Sequence, residues 1–427
     1  MGKCKAFRRA VFSAALVTGV ASVAQAQDIA VRGEMVYTMA GEPIENGVVV
    51  VRDGKIAQIG TTVALPAGMR LIQAKVVTPG LIDAHSTLGL TGMLNQDQDQ
   101  DQFDHASPLQ PELRAIDAYN PKDELVDWVR SFGITTVHTG HAPGELMSGQ
   151  TIVVKTRGNT VEEALVRDNV AVAATLSSSA RKSGGKSPGT RGKMVAMLRE
   201  QLIKAQEYKA KLERYEAKQA SGDGDDEEGK VLASEGKAPP TRDLRLESLV
   251  DVLDGRMALL VTADRAQDIA SVIRLQQEFG ITVWLDSASE AHMMVDEIKA
   301  SGLPVILHPT MTRAFGDHEN VSMETAGKLA GAGVPVFMQS GFEGYVPKVR
   351  VVLFEAGVAA ANGLGFDRAL KAITIDAAKL LDVDHRVGSL EVGKDGDLAL
   401  YDGDPFEYTS HCTATIIDGV VVSEGAH

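Results

Sequence analysis

"VVTPGLIDAHSTLGL", residues Val76 to Leu90, carries an apolar run through Pro79-Gly80 and Leu81-Ile82 to Asp83 and His85. Such a run reads as a short buried strand that delivers a carboxyl group and an imidazole to its far end.

Downstream, "GITTVHTG" (133–140), "ALLVTAD" (258–264), "ITVWLD" (281–286), "LPVILHP" (303–309) and "VPVFMQSG" (334–341) repeat the same form, each separated from the next by helical stretches. Residues 265–280 are one such helix, with apolar residues at helical spacing and Gly280 as its stop. Strand and helix in alternation imply a parallel sheet. The recurrence favours an α/β chain whose core is a closed (β/α)8 TIM-like barrel, with ligands gathered at the C-terminal strand ends. An open doubly wound sheet is the alternative. The flanks differ: residues 28–75 and 386–427 hold short β-rich runs split by turns such as Asp53-Gly54 and Asp418-Gly419. These two ends are expected to build one small β-sandwich beside a barrel spanning 76–385.

Lys3, Lys5, Arg8 and Arg9 precede an apolar run that closes on Ala24-Gln25-Ala26, which marks residues 1–26 as a secretory signal rather than a membrane anchor. The expected location is periplasmic or secreted. Cys4 falls in that signal and Cys412 is the other cysteine, so an internal disulfide and a cysteine metal cluster are both excluded. A net charge of −14 makes nucleic acid an improbable partner. About 182–240 interrupts the strand–helix rhythm with a charged helix and the acidic tract "SGDGDDEEGK". Met194, Val195, Met197, Leu198, Leu202 and Ile203 give that helix an apolar start, read here as a contact surface for another subunit.

Three stretches together resemble the imidazolonepropionase-like branch of the amidohydrolase superfamily. They are residues 76–90, then "LRAIDAYNPKDE" (113–124) with "GITTVHTGHAPGELMSGQTIVVKT" (133–156), and "ALKAITIDAAKLLDVDHRVGSLEVGKDGDLALYDGDP" (369–405). The resemblance implies hydrolysis of a C–N bond in an amide, cyclic amide or dipeptide. One or two divalent ions at the strand ends would activate the attacking water.

The positions matching the family's ligands are altered. His85 survives from the first-strand pair, and Thr87 replaces its second His; Thr262 and Ser287 stand at two further His positions, and Gly341 stands where an Asp serves as ligand and general base. "AATLSSSARKS" (173–183) supplies only hydroxyls where a middle-strand acid is usual. A zinc site needs about three protein donors, so the resemblance implies no cofactor or a weakly bound divalent metal, zinc if any. Asp83 reads as the partner of His85 or as a helix cap. His138, His141 and Asp264, with Asp286 and His308 also near strand ends, are candidates for a rearranged centre.

Three functions follow from this pattern. The first is a catalytically silent subunit in a hetero-oligomer with a metal-competent amidohydrolase homologue. The second is an active C–N hydrolase with a displaced or single metal. The third is a periplasmic module holding a small-molecule ligand.

Overall fold

The computed structural model describes residues 28–94, 96–221, 239–310, 312–342 and 351–425. The expected signal and most of the acidic tract lie outside the described residues.

The chain opens with β1 (Ile29–Val36), β2 (Ile44–Glu45), β3 (Val48–Arg52), β4 (Lys55–Gly60) and β5 (Arg70–Pro79). Gly80 alone separates β5 from β6 (Leu81–Ser86). A second group follows: β7 (Ile134–Thr139), β8 (Met147–Gln150), β9 (Ile152–Lys155), β10 (Leu165–Arg167), β11 (Ala171–Thr175), β12 (Ala258–Thr262), β13 (Val283–Ser287), β14 (Val305–Leu307) and β15 (Val336–Met338). The chain ends in β16 (Leu398–Tyr401), β17 (Cys412–Ile417) and β18 (Val420–Glu424).

Both ends of the chain meet in one eight-stranded sheet, ordered β18-β17-β16-β5-β1-β3-β4 with β2 paired to β1. β5 is the seam, parallel to β1 on one side and antiparallel to β16 on the other. The two ends do come together, but in a single continuous sheet rather than in two stacked ones. Its core of Ile29, Val31, Val49, Val51, Val77, Leu398 and Ile416 follows the alternation of β-branched residues along those strands.

The middle strands form two sheets, β10-β9-β7-β6 and β15-β14-β13-β12-β11-β8. Thr151, between β8 and β9, links them: its N–H donates to Ala171 O at 2.9 Å and its carbonyl accepts from Val170 N at 3.0 Å. At the other edge a parallel bridge pairs Ser86 with Gly341. The strands thus run in a closed circuit, not an open doubly wound sheet. One feature corrects the strict eightfold expectation: β8 and β9 run antiparallel to both neighbours, β11 and β7. Only residues 140–146 separate β7 from β8, and parallel strands need a crossover of a dozen or more residues.

Helices α1 (Glu124–Arg130), α2 (Val161–Ala164), α3 (Arg191–Ser221), α4 (Leu244–Leu253) and α5 (Ala266–Phe279) are followed by α6 (Val295–Ser301), α7 (Thr325–Ala332), α8 (Val352–Ala359), α9 (Phe366–Ala372) and α10 (Ile375–Leu380). Gly280 ends α5 in the left-handed conformation, as its sequence predicts. The apolar start of α3 is no free surface. Met194, Met197, Leu198 and Leu202 are buried in the protein's own main core with Leu249 of α4 and Ile269 and Val272 of α5, Val195 packs beside them, and Ile203 alone of the six is exposed. An apolar stripe at helical spacing found its partner within the chain.

Candidate functional site

The C-terminal ends of β6, β7, β12, β13 and β15 bring polar side chains into an otherwise apolar interior. His85 and Asp286, both nearly inaccessible, are joined by a hydrogen bond from His85 Nδ1 to Asp286 Oδ1 at 2.9 Å. Thr262 Oγ1 donates to Asp286 Oδ2 at 2.6 Å, and Gln339 Nε2 donates to Oδ1 at 2.9 Å and to Ile306 O at 3.0 Å. Both oxygens of the Asp286 carboxylate are thereby hydrogen-bonded, Oδ1 twice and Oδ2 once. Burial acts against a charge on His85, yet Asp286 overrides it and raises the imidazole above its usual value.

Asp83 is not the side-chain partner of His85. Its Oδ1 accepts from the backbone N–H groups of Ser340 at 3.0 Å and His85 at 3.3 Å, tying β6 to the end of β15. Burial pushes the Asp83 carboxyl up to about 7. Gly341 N–H approaches His85 O at 3.4 Å in the same seam. Gly341 adopts φ of +66°, and a Cβ there would lie 2.6 Å from Pro309 Cγ. Thr87 is buried just beyond β6, its carbonyl accepting from Leu90 N at 3.0 Å and Thr91 N at 3.2 Å as the chain turns.

A second carboxylate lies beside the first, because β12 and β13 pair in parallel and each contributes to both clusters. Asp264 Oδ2 accepts from Ser177 Oγ at 2.7 Å, and Oδ1 accepts from Ser287 Oγ at 2.5 Å and Ser289 Oγ at 2.9 Å. His318 Nδ1 lies 3.4 Å from the same Oδ1 and donates to Ser289 Oγ at 2.7 Å. Although burial works to raise the Asp264 carboxyl, these contacts, His318 foremost, hold it well below the usual range.

His138 and His141 do not join either carboxylate. His138 donates from Nδ1 to Ala84 O at 2.7 Å, and Thr151 Oγ1 donates to its Nε2 at 2.6 Å; burial pushes it down to about 3, leaving a neutral ring with both nitrogens engaged. His141 sets its Nδ1 edge where a Cβ on Gly149 would come within 2.7 Å, and burial lowers it to about 4. Among the described residues, no three His, Cys, Asp or Glu side chains are grouped so as to hold a metal ion. The donor chemistry agrees: around Asp286 only His85 is a metal-type donor, Thr262 and Gln339 being neutral, and Asp264 is spent on hydroxyls and His318. The residues present do not fit the family's metal centre.

Thus the structure brings His85, Thr262, Ser287 and Gly341 to one end of the strand circuit, together with Asp264. Sequence reading missed Gln339, Ser289 and His318. Gln339 carried a signal, since it is the first polar residue after the apolar run of β15; His318 carried none, since it arrives on a loop. Cys412 is a buried packing residue whose thiol burial pushes up to about 11.

The fold is a mixed α/β one that gathers this polar cluster at the carboxyl ends of its strands. A family model described as "Amidohydrolase family" matches residues 336–423. The chain is 21% identical to Amidohydrolase tasK of Hapsidospora irregularis over 363 residues, covering 81% of this chain and 36% of that protein; it therefore spans little more than a third of that relative's length. The structure is similar to an amidohydrolase from Thermotoga maritima MSB8, with a TM-score of 0.81, 25% identity, and coverage of 93% of this chain and 100% of that one. A prolidase complexed with n-methylphosphonate-l-proline shares the fold at a TM-score of 0.56 and 15% identity, over 93% of this chain and 100% of the other. The comparisons thus agree on amidohydrolases as what this chain is similar to, by the family model over residues 336–423 and by structure over 93% of the chain.

Proposed function

We propose that this protein is an exported amidohydrolase, built on a TIM-like barrel with one reversed strand, that is silent in the metal-dependent hydrolysis of C–N bonds and serves beside a metal-competent homologue in a hetero-oligomer. The observation that carries the reading is the Asp286 carboxylate, whose three donors His85, Thr262 and Gln339 satisfy it without a metal. A buried carboxylate so paired would have to give up those bonds to take an ion, leaving its donors unpaired at a cost of about 1–3 kcal/mol each.

The test is elemental analysis of the purified chain together with assays on dipeptides, acyl-amino acids and cyclic amides, with and without added zinc. The expected result is substoichiometric zinc and no zinc-dependent turnover, with a homologue co-purifying from the envelope fraction. A full equivalent of tightly bound metal with turnover lost on chelation would overturn the silent reading.

A second reading, a small-ligand module, draws on a different feature. His85 Nε2 is buried without a hydrogen-bond partner, and a donor left in that condition is available to a ligand oxygen. Retention of a small molecule by the native protein would favour it.

A further inference from the structure

Four consecutive residues, Asp317 to Asn320, each tie to a loop that follows a different strand of the circuit or to its neighbour. Asp317 Oδ2 accepts from Ser178 N at 2.6 Å, beyond β11. His318 reaches Asp264, beyond β12, and Ser289, beyond β13. Glu319 pairs with Arg265 Nη1 at 2.5 Å, and Asn320 Nδ2 donates to Glu290 Oε1 at 2.7 Å. Arg265 also reaches Gly316 O at 3.3 Å and Glu290 at 3.3 Å.

All these contacts are polar. Between Gly316 and Asn320 no residue is buried, so nothing apolar anchors the segment to the core. Beneath it, Ser177, Asp264, Ser287 and Ser289 are buried, and His308 Nδ1 is enclosed without a hydrogen-bond partner. The rings of His308 and His318 lie 4.4 Å apart. An enclosed imidazole nitrogen with no partner is a cost of the closed arrangement that lifting the segment would remove.

We propose that residues 316–320 form a lid that closes over the carboxyl ends of β11 to β13 and lifts as a unit to admit a small polar ligand to the hydroxyl-lined cradle around Asp264. The proposal rests only on those strand ends being the ligand-facing end of the fold, and not on whether the protein is silent in metal chemistry. Polar ties at a low-stability segment are what lids are made of.

Protons bias this lid from both sides. The groups facing His318 are Asp264, just beyond β12, and His308, just beyond β14, with Asp317 beside it in the chain; Arg265, Glu290 and Glu319 surround the next tie, and Arg191 of α3 comes within 4.0 Å of Asp317. His318 is raised above its ordinary 6.5 despite burial, because of Asp264. Its contribution to closure is full below pH 6.5 and lost as pH rises through the raised value. His308 is lowered to about 4 by burial and by His318, so its effect on closure is neutral above 6.5 and increasingly adverse as pH falls towards 4. The lid is therefore tightest near pH 6.5.

Hydrogen exchange of the full chain between pH 4.5 and 8.5, corrected for intrinsic rates, tests this in the peptide covering 312–325. The expected result is greatest protection near pH 6.5, falling by up to roughly tenfold per pH unit on each limb between the open and closed values. His318→Gln should lower the maximum and flatten the alkaline limb, and Asn320→Ala should lower protection without changing its pH dependence; in both, strands 258–262 and 283–287 should keep theirs. A flat pH profile in the wild type, unchanged protection in His318→Gln, or equal loss across those strands would each overturn the proposal.

Discussion

Asp286 accepts the Nδ1–H of His85 at 2.9 Å across the centre of the strand circuit, with both side chains all but closed to water. The two residues lie on β13 and β6, strands that are not neighbours in the circuit, so this bond spans the interior. It holds together at the site what the backbone pairing does not.

Replacing Asp286 by Asn should destabilise the protein by about 3–5 kcal/mol, the usual result of removing one partner of a buried charged pair. The pair is also pH-sensitive. His85 is raised above 6.5 in the folded chain, so its contribution is full below pH 6.5 and lost as pH rises through the higher folded value. Urea melts should show wild-type stability falling on that alkaline side and Asp286→Asn lacking the fall.

Gly341→Asp restores the family's acidic residue in name only. With φ of +66° and Pro309 Cγ 2.6 Å from the added Cβ, the substitution combines left-handed strain of about 1–2 kcal/mol with overpacking of about 1–3 kcal/mol. The variant should melt earlier and take up no additional zinc by elemental analysis. A stable variant with a full metal equivalent would show that the site needs only its carboxylate back.

On the opposite side of the circuit, Lys155 Nζ pairs with Asp395 at 2.7 Å, with Asp397 at 3.1 Å, and with Asp418, joining β9 to the composite sheet. Lys155→Met would leave three neighbouring carboxylates with less compensation and should cost about 3–5 kcal/mol. Burial works to raise Asp395, yet Lys155, with Lys55 and Arg386, holds it at about 2 against an ordinary 3.8. Its contribution of about 2 kcal/mol is present above pH 3.8 and lost as pH falls towards 2. Acid titration of stability should show this limb in the wild type and a reduced one in the variant.

Met197→Asp and Ile203→Asp separate packing from partnership on α3. Met197 is buried in the core and Ile203 is 42% exposed. The first should cost about 2–5 kcal/mol, while the second should leave the melt within about 0.5 kcal/mol. If a partner subunit docks on this helix, Ile203→Asp is the change that should release it, as read by size-exclusion chromatography with light scattering.

His85, Thr262, Ser287 and Gly341 were legible as a group because each follows an apolar run, and parallel strands present such ends to one side. Gln339 could have joined them by the same rule. His318 could not, since its position depends on how a loop folds back over β12 and β13. The direction of β8 and β9 hid for another reason: "MSGQTIVVK" shows the same apolar pattern read either way, and only the short 140–146 connection betrays the reversal. The α3 stripe was legible as apolar, but not as already covered, because its cover comes from α4 and α5 further along the chain.

The reversed strand has a mechanical meaning. From Met147 to Lys155 the backbone advances at roughly 3.4 Å per residue, beginning beside the end of β11 and finishing among the aspartates of the composite sheet. Midway, Thr151 bonds His138 on one flank and Ala171 on the other. The two ends of this run stand on different parts of the molecule, and Gly149, at φ of +140°, sits where its register shifts against β11. One run of nine residues therefore ties the terminal sheet, through Lys155, to the rim beside β11, through Met147.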